Sequence, residues 1–455
     1  MREMKDSGIE CIGNIPKEWE IGRIKNVISV LTDYTANGSF ADLAKNVTYL
    51  DYEGYARLVR LTDLRTDLNN EDGVFVSKES FEYLSKSSLY GNEILVANVG
   101  AYAGLFCLMP QGKGICTLGP NMFLLRTNKK MLPQFLYYLG QSKAVEEQLK
   151  QKSTATAQPK LNKNDVKNVY VCIPSLKDQT KICNFIETHC IEIDALSADV
   201  QAEIETLEAY KQSVIAEAVT KGLDKNVAMK DSGIEWIGQI PSTWEVLNIK
   251  RIYDHKNYYP IGDGDHGLIK PADYLEEGIP YIRVQNLGFC TELKLDNVVY
   301  ISPEKNKRIA SSTLKPKDVL FAKTGATIGK TGIIPDDMKM ANTTSHVGKI
   351  TVAPQFNPRY VYYVLSSYIG YKQFWDIASL KSTRPELSLE EIKRMFITIP
   401  KSRDVQDKIV KYLDEKCVEI DCCVSQKQEQ LTILTDYKKS LIYEYVTGKK
   451  EVPEI

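Results

Sequence analysis

Three short sequences contain the residue types of phosphate-binding or catalytic motifs, but each lacks an essential part. Residues 325–331 (GATIGKT) resemble a phosphate-binding P-loop, which needs four residues between its glycines where this loop has three. Residues 357–360 (NPRY) resemble the Asn-Pro-Pro-Tyr motif of amino-methyltransferases, but the third residue is an arginine and no glycine-rich cofactor loop precedes it. Residues 391–393 (EIK) match only the end of a nuclease motif, and residues 388–394 are better explained as a capped surface helix. We therefore expect the chain by itself to catalyse neither methyl transfer nor nucleic-acid cleavage.

The cysteines and histidines do not form a metal-binding pattern. The ten cysteines are scattered along the chain, none belongs to a Cys-x-x-Cys pair, and there are only four histidines. Reduced, mostly buried thiols in a cytosolic protein are the simplest interpretation. The sequence therefore predicts no metal ion and no cofactor in this chain.

The composition predicts a globular protein of two or three domains. The chain has 455 residues, of which 43% are hydrophobic and 26% are charged. No apolar run reaches the ~18–20 residues that a transmembrane helix needs, and the first residues carry no apolar signal segment. We expect a cytoplasmic location.

The formal net charge of -1 gives the chain no general attraction for nucleic acid. Any contact with nucleic acid would depend on local positive charge. Residues 303–330 form one basic segment, with seven basic residues and two acidic ones. A solvated basic surface would explain this segment equally well. Its basic residues are Lys305, Lys307, Arg308, Lys315, Lys317, Lys323 and Lys330.

The chain contains an internal repeat. Residues 4–16 (MKDSGIECIGNIP) recur as residues 229–241 (MKDSGIEWIGQIP), at an offset of 225 residues and with two differences. Trp19 and Glu20 recur as Trp244 and Glu245 at the same offset. Two copies of one domain are therefore predicted.

Weaker matches continue through both copies in the same order. They include two short strand-like segments, a glycine after the second of them, and a Pro-x-Leu segment that leads into a short helix and a strand ending in Ile-Pro. The aligned segments are 59–61 (VRL) with 282–284 (IRV), 93–97 (EILVA) with 318–322 (DVLFA), and 158–161 (QPKL) with 384–387 (RPEL).

After each Ile-Pro the hydrophobic period changes to the 4-3 spacing of a coiled-coil seam. Neither segment contains Pro or Gly before Gly222 or Gly448, which suit helix-terminating positions. Residues 177–221 would form a helix about 67 Å long at ~1.5 Å per residue. The seam residues are Ile186, Cys190, Ile193, Ser197, Val200, Ile204, Leu207, Val214 and Ala218 in the first copy, and Leu413, Cys417, Ile420, Val424, Lys427, Leu431, Leu434, Leu441 and Tyr445 in the second.

Two long amphipathic helices in one chain can bury their seams against each other. The first helix connects the two domains and the second begins at the end of domain two, so the pair must be antiparallel. We predict an α+β fold, in which two mixed α/β domains related by a pseudo-twofold axis are joined by a pair of long antiparallel coiled-coil helices. The predicted segments are domain 1 at 1–173, spacer helix 1 at 174–222, a connector at 223–228, domain 2 at 229–399, spacer helix 2 at 400–448 and a tail at 449–455.

The two copies have diverged unevenly. The opening motif and the helix are similar in both, whereas the domain interiors differ, for example residues 33–55 against residues 254–274. One scaffold that presents two different surfaces is expected of a protein that recognises a two-part target.

Together these motifs resemble those of the specificity subunits of Type I restriction–modification enzymes. The resemblance covers essentially the whole chain, with both halves in order. It rests on residues 229–245 (MKDSGIEWIGQIPSTWE), 324–329 (TGATIG), 153–161 (STATAQPKL) and 399–409 (IPKSRDVQDKI). The first copy departs from the pattern at residues 98–104 (NVGAYAG), so the two loops are not expected to make identical contacts.

The resemblance implies a non-catalytic subunit with two target-recognition domains, each recognising one half of a bipartite site in double-stranded DNA. The helices would set the spacer between the half-sites and dock two modification (methyltransferase) subunits, and restriction (endonuclease/translocase) subunits would join them. It also implies that S-adenosylmethionine, ATP and Mg are bound by those partner subunits and not by this chain, and that no membrane is involved.

Candidate DNA-contacting residues are polar or basic residues in loops at repeat-related positions, because phosphate contacts position a domain and base contacts give specificity. For each of them an exposed or loop-stabilising side chain is the simpler explanation. The candidates are Arg60, Asn98, Tyr102, Thr154, Thr156, Gln158 and Lys160 in the first copy, and Arg283, Gln285, Lys323, Thr324, Thr327, Lys330, Thr383 and Arg384 in the second.

An interaction scaffold that binds no DNA, with two protein-binding modules on a coiled-coil spacer, is the alternative function. The polar loops at residues 382–384 (STR) and 342–346 (NTTSH) suit phosphates and base edges. A protein-binding surface would instead favour clustered aromatic residues and methionine. The 26 tyrosines keep this alternative open.

Overall fold

The computed structural model describes residues 2–152, 159–379 and 385–453, which divide into two units. Unit 1 contains Met1–Val200 and Glu429–Ile455, and unit 2 contains Gln201–Gln428. Each unit has its own principal hydrophobic core.

Unit 1 combines short strands with short helices before the first long helix begins. Its strands are β1 Met4–Asp6, β2 Asn14–Pro16, β3 Glu20–Arg23, β4 Ile28–Asp33, β5 Tyr49–Leu50, β6 Ala56–Val59, β7 Val74–Val76, β8 Ser88–Leu89, β9 Ile94–Ala97, β10 Phe106–Leu108, β11 Cys116–Leu118, β12 Met122–Thr127 and β13 Tyr170–Ile173. Its helices are α1 Ile24–Val27, α2 Phe40–Asn46, α3 Leu61–Leu64, α4 Lys78–Tyr83, α5 Pro133–Gln141, α6 Lys143–Lys152 and α7 Lys163–Lys167, and the long helix α8 Leu176–Lys221 follows.

Unit 2 follows a similar order with fewer strands and fewer short helices. Its strands are β14 Met229–Asp231, β15 Gln239–Pro241, β16 Trp244–Asn248, β17 Ile261–Asp263, β18 Ile279–Ile282, β19 Val299–Ile301, β20 Val319–Ala322, β21 Thr331–Ile333, β22 Asn342–Thr343, β23 Val347–Ile350 and β24 Phe396–Pro400. Its helices are α9 Pro303–Arg308, α10 Pro358–Ser366, α11 Tyr368–Ala378 and α12 Leu389–Arg394, and the long helix α13 Arg403–Val446 follows.

Each unit contains a four-stranded antiparallel sheet with the same topology. The strand order is β10-β9-β12-β4 in unit 1 and β21-β20-β23-β17 in unit 2. The segments 94–97 and 319–322, which the sequence aligned as strands, are the buried strands β9 and β20 of these sheets. Their near-continuous apolar sequence reflects burial on both faces.

A second sheet in each unit is built around a parallel strand pair. In unit 1 the strand order is β5-β7-β6-β11-β8, and β6 is parallel to β11. In unit 2 the order is β19-β18-β22, and β18 is parallel to β22. Because parallel strands end at the same edge of a sheet, the residues that follow β6 and β11, or β18 and β22, lie close together.

The repeated opening motif forms the same hairpin twice. β1 pairs with β2 and β14 pairs with β15, with Met4 opposite Pro16 and Met229 opposite Pro241. The next strand of each copy, β3 or β16, pairs with the strand that precedes the long helix, β13 or β24. The start and the end of each domain are therefore joined before the helix begins.

The two long helices agree with the sequence pattern. α8 has 46 residues and α13 has 44, so they are about 69 and 66 Å long at ~1.5 Å per residue. Gly222 and Gly448 follow them with φ values of 76° and 70°, the left-handed conformation that glycine adopts at helix ends.

The helices pack antiparallel within each unit. In unit 1, Lys438 Nζ lies 2.6 Å from a carboxylate oxygen of Asp194, and Tyr445 packs against Phe185. In unit 2, Lys211 Nζ lies 2.7 Å from Asp421, and Lys427 pairs with Glu203. Residue numbers fall along α13 as they rise along α8 in both units, as the sequence predicted.

The predicted seam is not buried evenly. Ile186 and Leu441 are buried in the core of unit 1, and Val214 and Leu413 in the core of unit 2. Ser197, Leu207, Val424, Lys427, Leu431 and Leu434 are only half-buried. A domain core also covers the helix pair at Ile186, Leu441, Val214 and Leu413. Four further seam residues are buried without belonging to either core: Ile193, Val200, Ile204 and Ile420.

The α+β class predicted from the sequence, with two repeated mixed domains and long helices, is confirmed. The units divide within α8 and α13, whereas the sequence placed domain boundaries at 173 and 399. The reason is that the helix ends belong to the domain cores: Ile186 and Leu441 are part of one core, Val214 and Leu413 of the other. No helix in the described ranges is long and apolar enough to cross a membrane.

Gly448→Ala should destabilise unit 1 more than an ordinary glycine replacement. A Cβ at this position would lie 2.4 Å from Cδ of Pro16 and 3.0 Å from Cη2 of Trp19. We expect a loss of about 2–4 kcal/mol, since backbone strain and overpacking add. Gly112→Ala is the control, because Gly112 has a φ of 70° but open space around it, and should cost only about 1–2 kcal/mol. Equal decreases of the thermal unfolding temperature would contradict this packing.

Candidate nucleic-acid interface

The strand ends of unit 1 bring separate chain segments together at one edge. Gly119, after β11, donates its backbone N–H to the carbonyl of Val59 at the end of β6 (2.8 Å). Asn98, after β9, donates its backbone N–H to the carbonyl of Asn121 (3.1 Å) in the same turn. We call the five residues at this edge rim 1. They are Asp33, Arg60, Asn98, Asn121 and Lys160.

Unit 2 repeats this arrangement. Thr344 donates its backbone N–H to the carbonyl of Ile282 (3.4 Å), and Lys323 donates its own to the carbonyl of His346 (3.0 Å). We call the corresponding residues rim 2. In the order used for rim 1 they are Asp263, Arg283, Lys323, His346 and Glu386.

The loops after β9 and β20 are held by the same backbone hydrogen bonds. Gly100 N–H donates to Pro159 O (2.9 Å), and Gly325 N–H donates to Pro385 O (2.9 Å). In the next hydrogen bond of unit 1, the backbone N–H of Leu161 donates to Asn98 O (2.9 Å). In unit 2 the backbone N–H of Leu387 donates to Lys323 O (2.8 Å). The predicted contacts Thr154, Thr156, Gln158, Thr383 and Arg384 directly precede these anchored segments and lie outside the described residues.

An aspartate at the end of the edge strand is paired with a lysine in both rims, but the lysine comes from different elements. Asp33 is 3.0 Å from Lys163 at the start of α7. Asp263 is 2.8 Å from Lys323, which follows β20 and is also 3.4 Å from Glu386. The side chain of Lys323 is only 8% exposed. Lys323 thus stabilises rim 2 through buried ion pairs, and its predicted DNA contact stays a prediction.

The Nε and Nη2 groups of Arg60 are engaged by its neighbours. Its guanidinium donates two hydrogen bonds to Asp63, from Nε (3.0 Å) and Nη2 (2.7 Å), and one to the carbonyl of Asp72 (2.9 Å). The bonds to Asp63 raise the pKa of Arg60. Burial alone would raise the pKa of Asp63, but hydrogen bonds from Arg60 and Asn70 outweigh it and lower the pKa. The pair is therefore ionised and internally neutral.

Arg283 occupies the same position in unit 2 with different partners. Its Nη2 donates to the carbonyl of Asn297 (2.9 Å), and its guanidinium lies 5.4 Å from the ring centre of Tyr274. Its Nε is buried without a hydrogen-bond partner. Asn286 stands where unit 1 has Asp63, and its Oδ1 accepts the backbone N–H of Arg283 (2.8 Å).

A groove of about 630 Å³ runs beside rim 1. Asn98 and the exposed Lys160 line it, together with Phe40, whose side chain is 74% exposed. The Oδ1 atom of Asn98 is buried there without a hydrogen-bond partner. The groove thus combines a cation, an unsatisfied acceptor and an exposed ring.

The remaining predicted residues are spread around the loops. Tyr102 is half-exposed and stacks with Arg65, with 4.5 Å from the guanidinium to the ring centre. Thr324 is buried and shares a 3.0 Å hydrogen bond with Nδ1 of His346, while Thr327 donates to the carbonyl of Thr324 (2.9 Å). Lys330 lies over Phe289, and Gln285 is exposed beside Arg283.

Comparison with known proteins identifies the family. The profile described as the Type I restriction modification DNA specificity domain matches residues 16–206 and 241–431, once in each copy. The chain is 23% identical over 447 residues to the Type I restriction enzyme MjaVIII specificity subunit of Methanocaldococcus jannaschii, covering 97% of this chain and 95% of that protein. It is 25% identical over 297 residues to the EcoBI specificity subunit of Escherichia coli, covering 64% and 60%.

A solved structure shares the fold. The matching chain belongs to a solved structure concerned with complex assembly and conformational transition of the type I restriction–modification system. It matches with a TM-score of 0.65 at 17% identity, over 96% of our chain and 99% of that one. Our chain belongs to the family of Type I restriction–modification DNA specificity proteins.

Specificity subunits recognise DNA and are not catalytic, and the geometry of the three incomplete motifs agrees. In residues 325–331, Thr331 is buried and its hydroxyl is 2.5 Å from that of Ser366. Arg359 of the NPRY segment is paired with Asp414 and Glu292. Glu391 completes a capping box with Ser388 at the start of α12. Within the described ranges, no group of three His, Cys, Asp or Glu side chains is placed to hold a metal ion.

The basic segment of residues 303–330 does not form one positive surface. Lys305 pairs with Asp273, Lys317 with Asp336, and Lys323 with Asp263 and Glu386. Lys307, Arg308 and Lys315 are exposed. A count of basic residues therefore overstates the charge available to a ligand.

Sequence reasoning missed the aspartates of both rims. It set residues 33–55 against residues 254–274 as diverged segments and gave neither rim aspartate a role. The sheets show that Asp33 and Asp263 are equivalent, since each pairs with the same position of the neighbouring strand. Ile28 and Tyr253 are equivalent, because Ile28 pairs with Thr127 and Tyr253 with the corresponding Val352. Unit 2 therefore contains additional residues between Tyr253 and Asp263. An acid at a predicted strand end was the available signal, and only strand pairing identifies its counterpart.

Lys323→Ala should destabilise unit 2, because it leaves the mostly buried Asp263 with the exposed His266 as its remaining partner. Breaking a buried ion pair costs about 3–5 kcal/mol, and the partial exposure of Glu386 should reduce this to about 1–3 kcal/mol. Lys339→Ala is the control, since this exposed lysine removes the same charge and should change stability by less than about 0.5 kcal/mol. Equal thermal unfolding temperatures for both variants would show that the buried pairs contribute no net stability.

Proposed function

We propose that this subunit recognises a bipartite site in double-stranded DNA, with rim 1 contacting one half-site and rim 2 the other. One observation carries the proposal: the two units share their strand connections but differ at all five rim positions, three in side-chain type and two in charge partner. Asn98 corresponds to Lys323, Asn121 to His346, and Lys160 to Glu386. A common scaffold with different side chains suits two different base sequences.

The rim side chains have the chemistry that base edges and phosphates require. Asparagine pairs with adenine, arginine and lysine with guanine or phosphate, and carboxylates accept from the cytosine amino group. Asn98 supports this role, because it lines the groove beside the exposed Lys160 and its Oδ1 has no hydrogen-bond partner within the protein.

We further propose that the long helices dock two modification subunits, and that restriction subunits join this core. Support comes from large apolar side chains that the helix pair leaves exposed, including Ile191, Leu196, Val418 and Ile433. Exposed apolar residues of this size commonly mark protein interfaces. S-adenosylmethionine, ATP and Mg would then serve the partner subunits, and the ten unpaired cysteines suit a cytoplasmic setting.

Replacing residues 17–171 with the equivalent segment of another family member should change only one half of the recognised sequence. The reason is that rim 1 lies entirely within this segment. The reciprocal replacement of residues 242–397, which contains rim 2, is the matched control and should change only the other half. Mapping methylated adenines in host DNA measures both outcomes.

A replacement that alters both halves would show that the units do not recognise DNA independently. A complex with modification subunits that binds DNA without sequence preference would overturn the proposed function itself. Binding of a protein in place of DNA would support the interaction scaffold.

A four-residue insertion in each long helix, after Val200 and after Glu429, should lengthen the unread spacer by one or two base pairs. Each insertion adds about 6 Å and roughly one turn, which keeps the seam on nearly the same face. DNA rises about 3.4 Å per base pair. The same four residues inserted after Leu223 are the control, because Gly222 has already ended α8 and only the connector would lengthen. An unchanged spacer in an active helix variant would mean that helix length does not set the spacing.

A further inference from the structure

The arginines of the two rims are in equivalent positions but carry different charge partners. Both follow the central strand of the second sheet, and the backbone N–H of each donates 2.8 Å to a side-chain oxygen three residues later. In unit 1 this oxygen belongs to Asp63, and in unit 2 it belongs to Asn286. The local backbone is conserved while the charge is not.

This single difference changes what the guanidinium can do. Asp63 is fully buried, and its second oxygen accepts from Nη2 of Arg60 (2.7 Å), so an ion pair neutralises this partly exposed guanidinium. The Asn286 side chain has no charge, and its Nδ2 donates to the carbonyl of Lys294 (2.8 Å). The positive charge of Arg283 is therefore not neutralised by the residue three positions later.

The surroundings of Arg283 orient this charge without neutralising it. The ring of Tyr274 and the carbonyl of Asn297 hold one side of the guanidinium. Among the described residues, no carboxylate lies within ion-pair distance of it. Its Nε is buried without a hydrogen-bond partner, so the protein satisfies this guanidinium less completely than that of Arg60.

We propose that Arg283 is the DNA-contacting cation of rim 2, and that Arg60 is a positioning residue of rim 1. The side chain three residues after each arginine, Asn286 or Asp63, decides between these roles. This inference rests on the proposed function, because it assigns the acceptor to DNA. The acceptor is either the N7 and O6 edge of a guanine or a phosphate oxygen.

The test uses the complex assembled with its modification subunits and a duplex that carries the mapped site. Arg283→Met removes the charge but keeps the chain length, and should weaken binding roughly 5- to 100-fold. Thermal stability should fall only modestly, because the hydrogen bond to Asn297 and the contact with Tyr274 are lost but no carboxylate loses its partner. Lys339→Met removes the same charge from the loop before β22, at the opposite end of the sheet from rim 2, and should bind like the unchanged protein.

Two further variants separate a DNA contact from a structural role. Asn286→Asp should weaken binding although it removes no basic residue, since it recreates the pair found in unit 1. Arg60→Met should instead lower the unfolding temperature, because it leaves the buried Asp63 without its partner. Arg283→Lys should restore most of the binding to a phosphate and less of the binding to a guanine edge, where the planar guanidinium matches N7 and O6 better than an ammonium does.

The measurements distinguish every outcome. A loss confined to one base pair identifies a guanine contact, and a uniform loss with a salt slope reduced by about one identifies a phosphate contact; both support the inference. Unchanged affinity and salt slope for Arg283→Met would overturn the inference about Arg283, and so would a loss of binding that is explained by unfolding. In either case, sequence-specific binding by the complex without substitutions would leave the proposed function standing. If that complex shows no sequence preference, the proposed function fails instead.

Discussion

Each rim depends on the parallel pairing of two short strands, β6 with β11 and β18 with β22. Because the partners run in the same direction, both chains leave the sheet at one edge, where Arg60 or Arg283 follows one strand and a tight turn follows the other. A Cβ on Gly119 would lie 2.6 Å from the carbonyl of Val59, so the turn of unit 1 has no room for a side chain. The same turn then enters β12, which brings Asn98 to this edge.

Charge at this edge is controlled by local pairing and not by composition. Lys323 lies in the most basic segment of the chain, yet two carboxylates neutralise it and its side chain is almost fully buried. Arg283 lies outside that segment and keeps its charge, because Asn286 replaces an aspartate. A chain with a formal net charge of -1 can therefore leave an individual cation without an ion-pair partner.

Sequence reasoning worked where structure is local or periodic. The repeat at residues 4–16 and 229–241 gave two identical hairpins, the 4-3 spacing gave α8 and α13, and Ser388 caps α12 as its pattern indicated. It failed where partners are distant in the chain. The lysine that pairs with the rim aspartate lies at the start of α7 in unit 1 and after β20 in unit 2. No short-range sequence pattern indicates which of these elements supplies the lysine.

By itself the sequence determined the family, the two copies, the long helices and the loops in which contacts should lie, since repeats and hydrophobic periods are properties of neighbouring residues. Only the tertiary structure decided which of those loop residues carry an available charge. Arg60 and Arg283 have the same backbone setting, but one is bound to a buried carboxylate and the other has an unsatisfied Nε. Such differences depend on distances between side chains that strand pairing brings together, and these distances exist only in the folded chain.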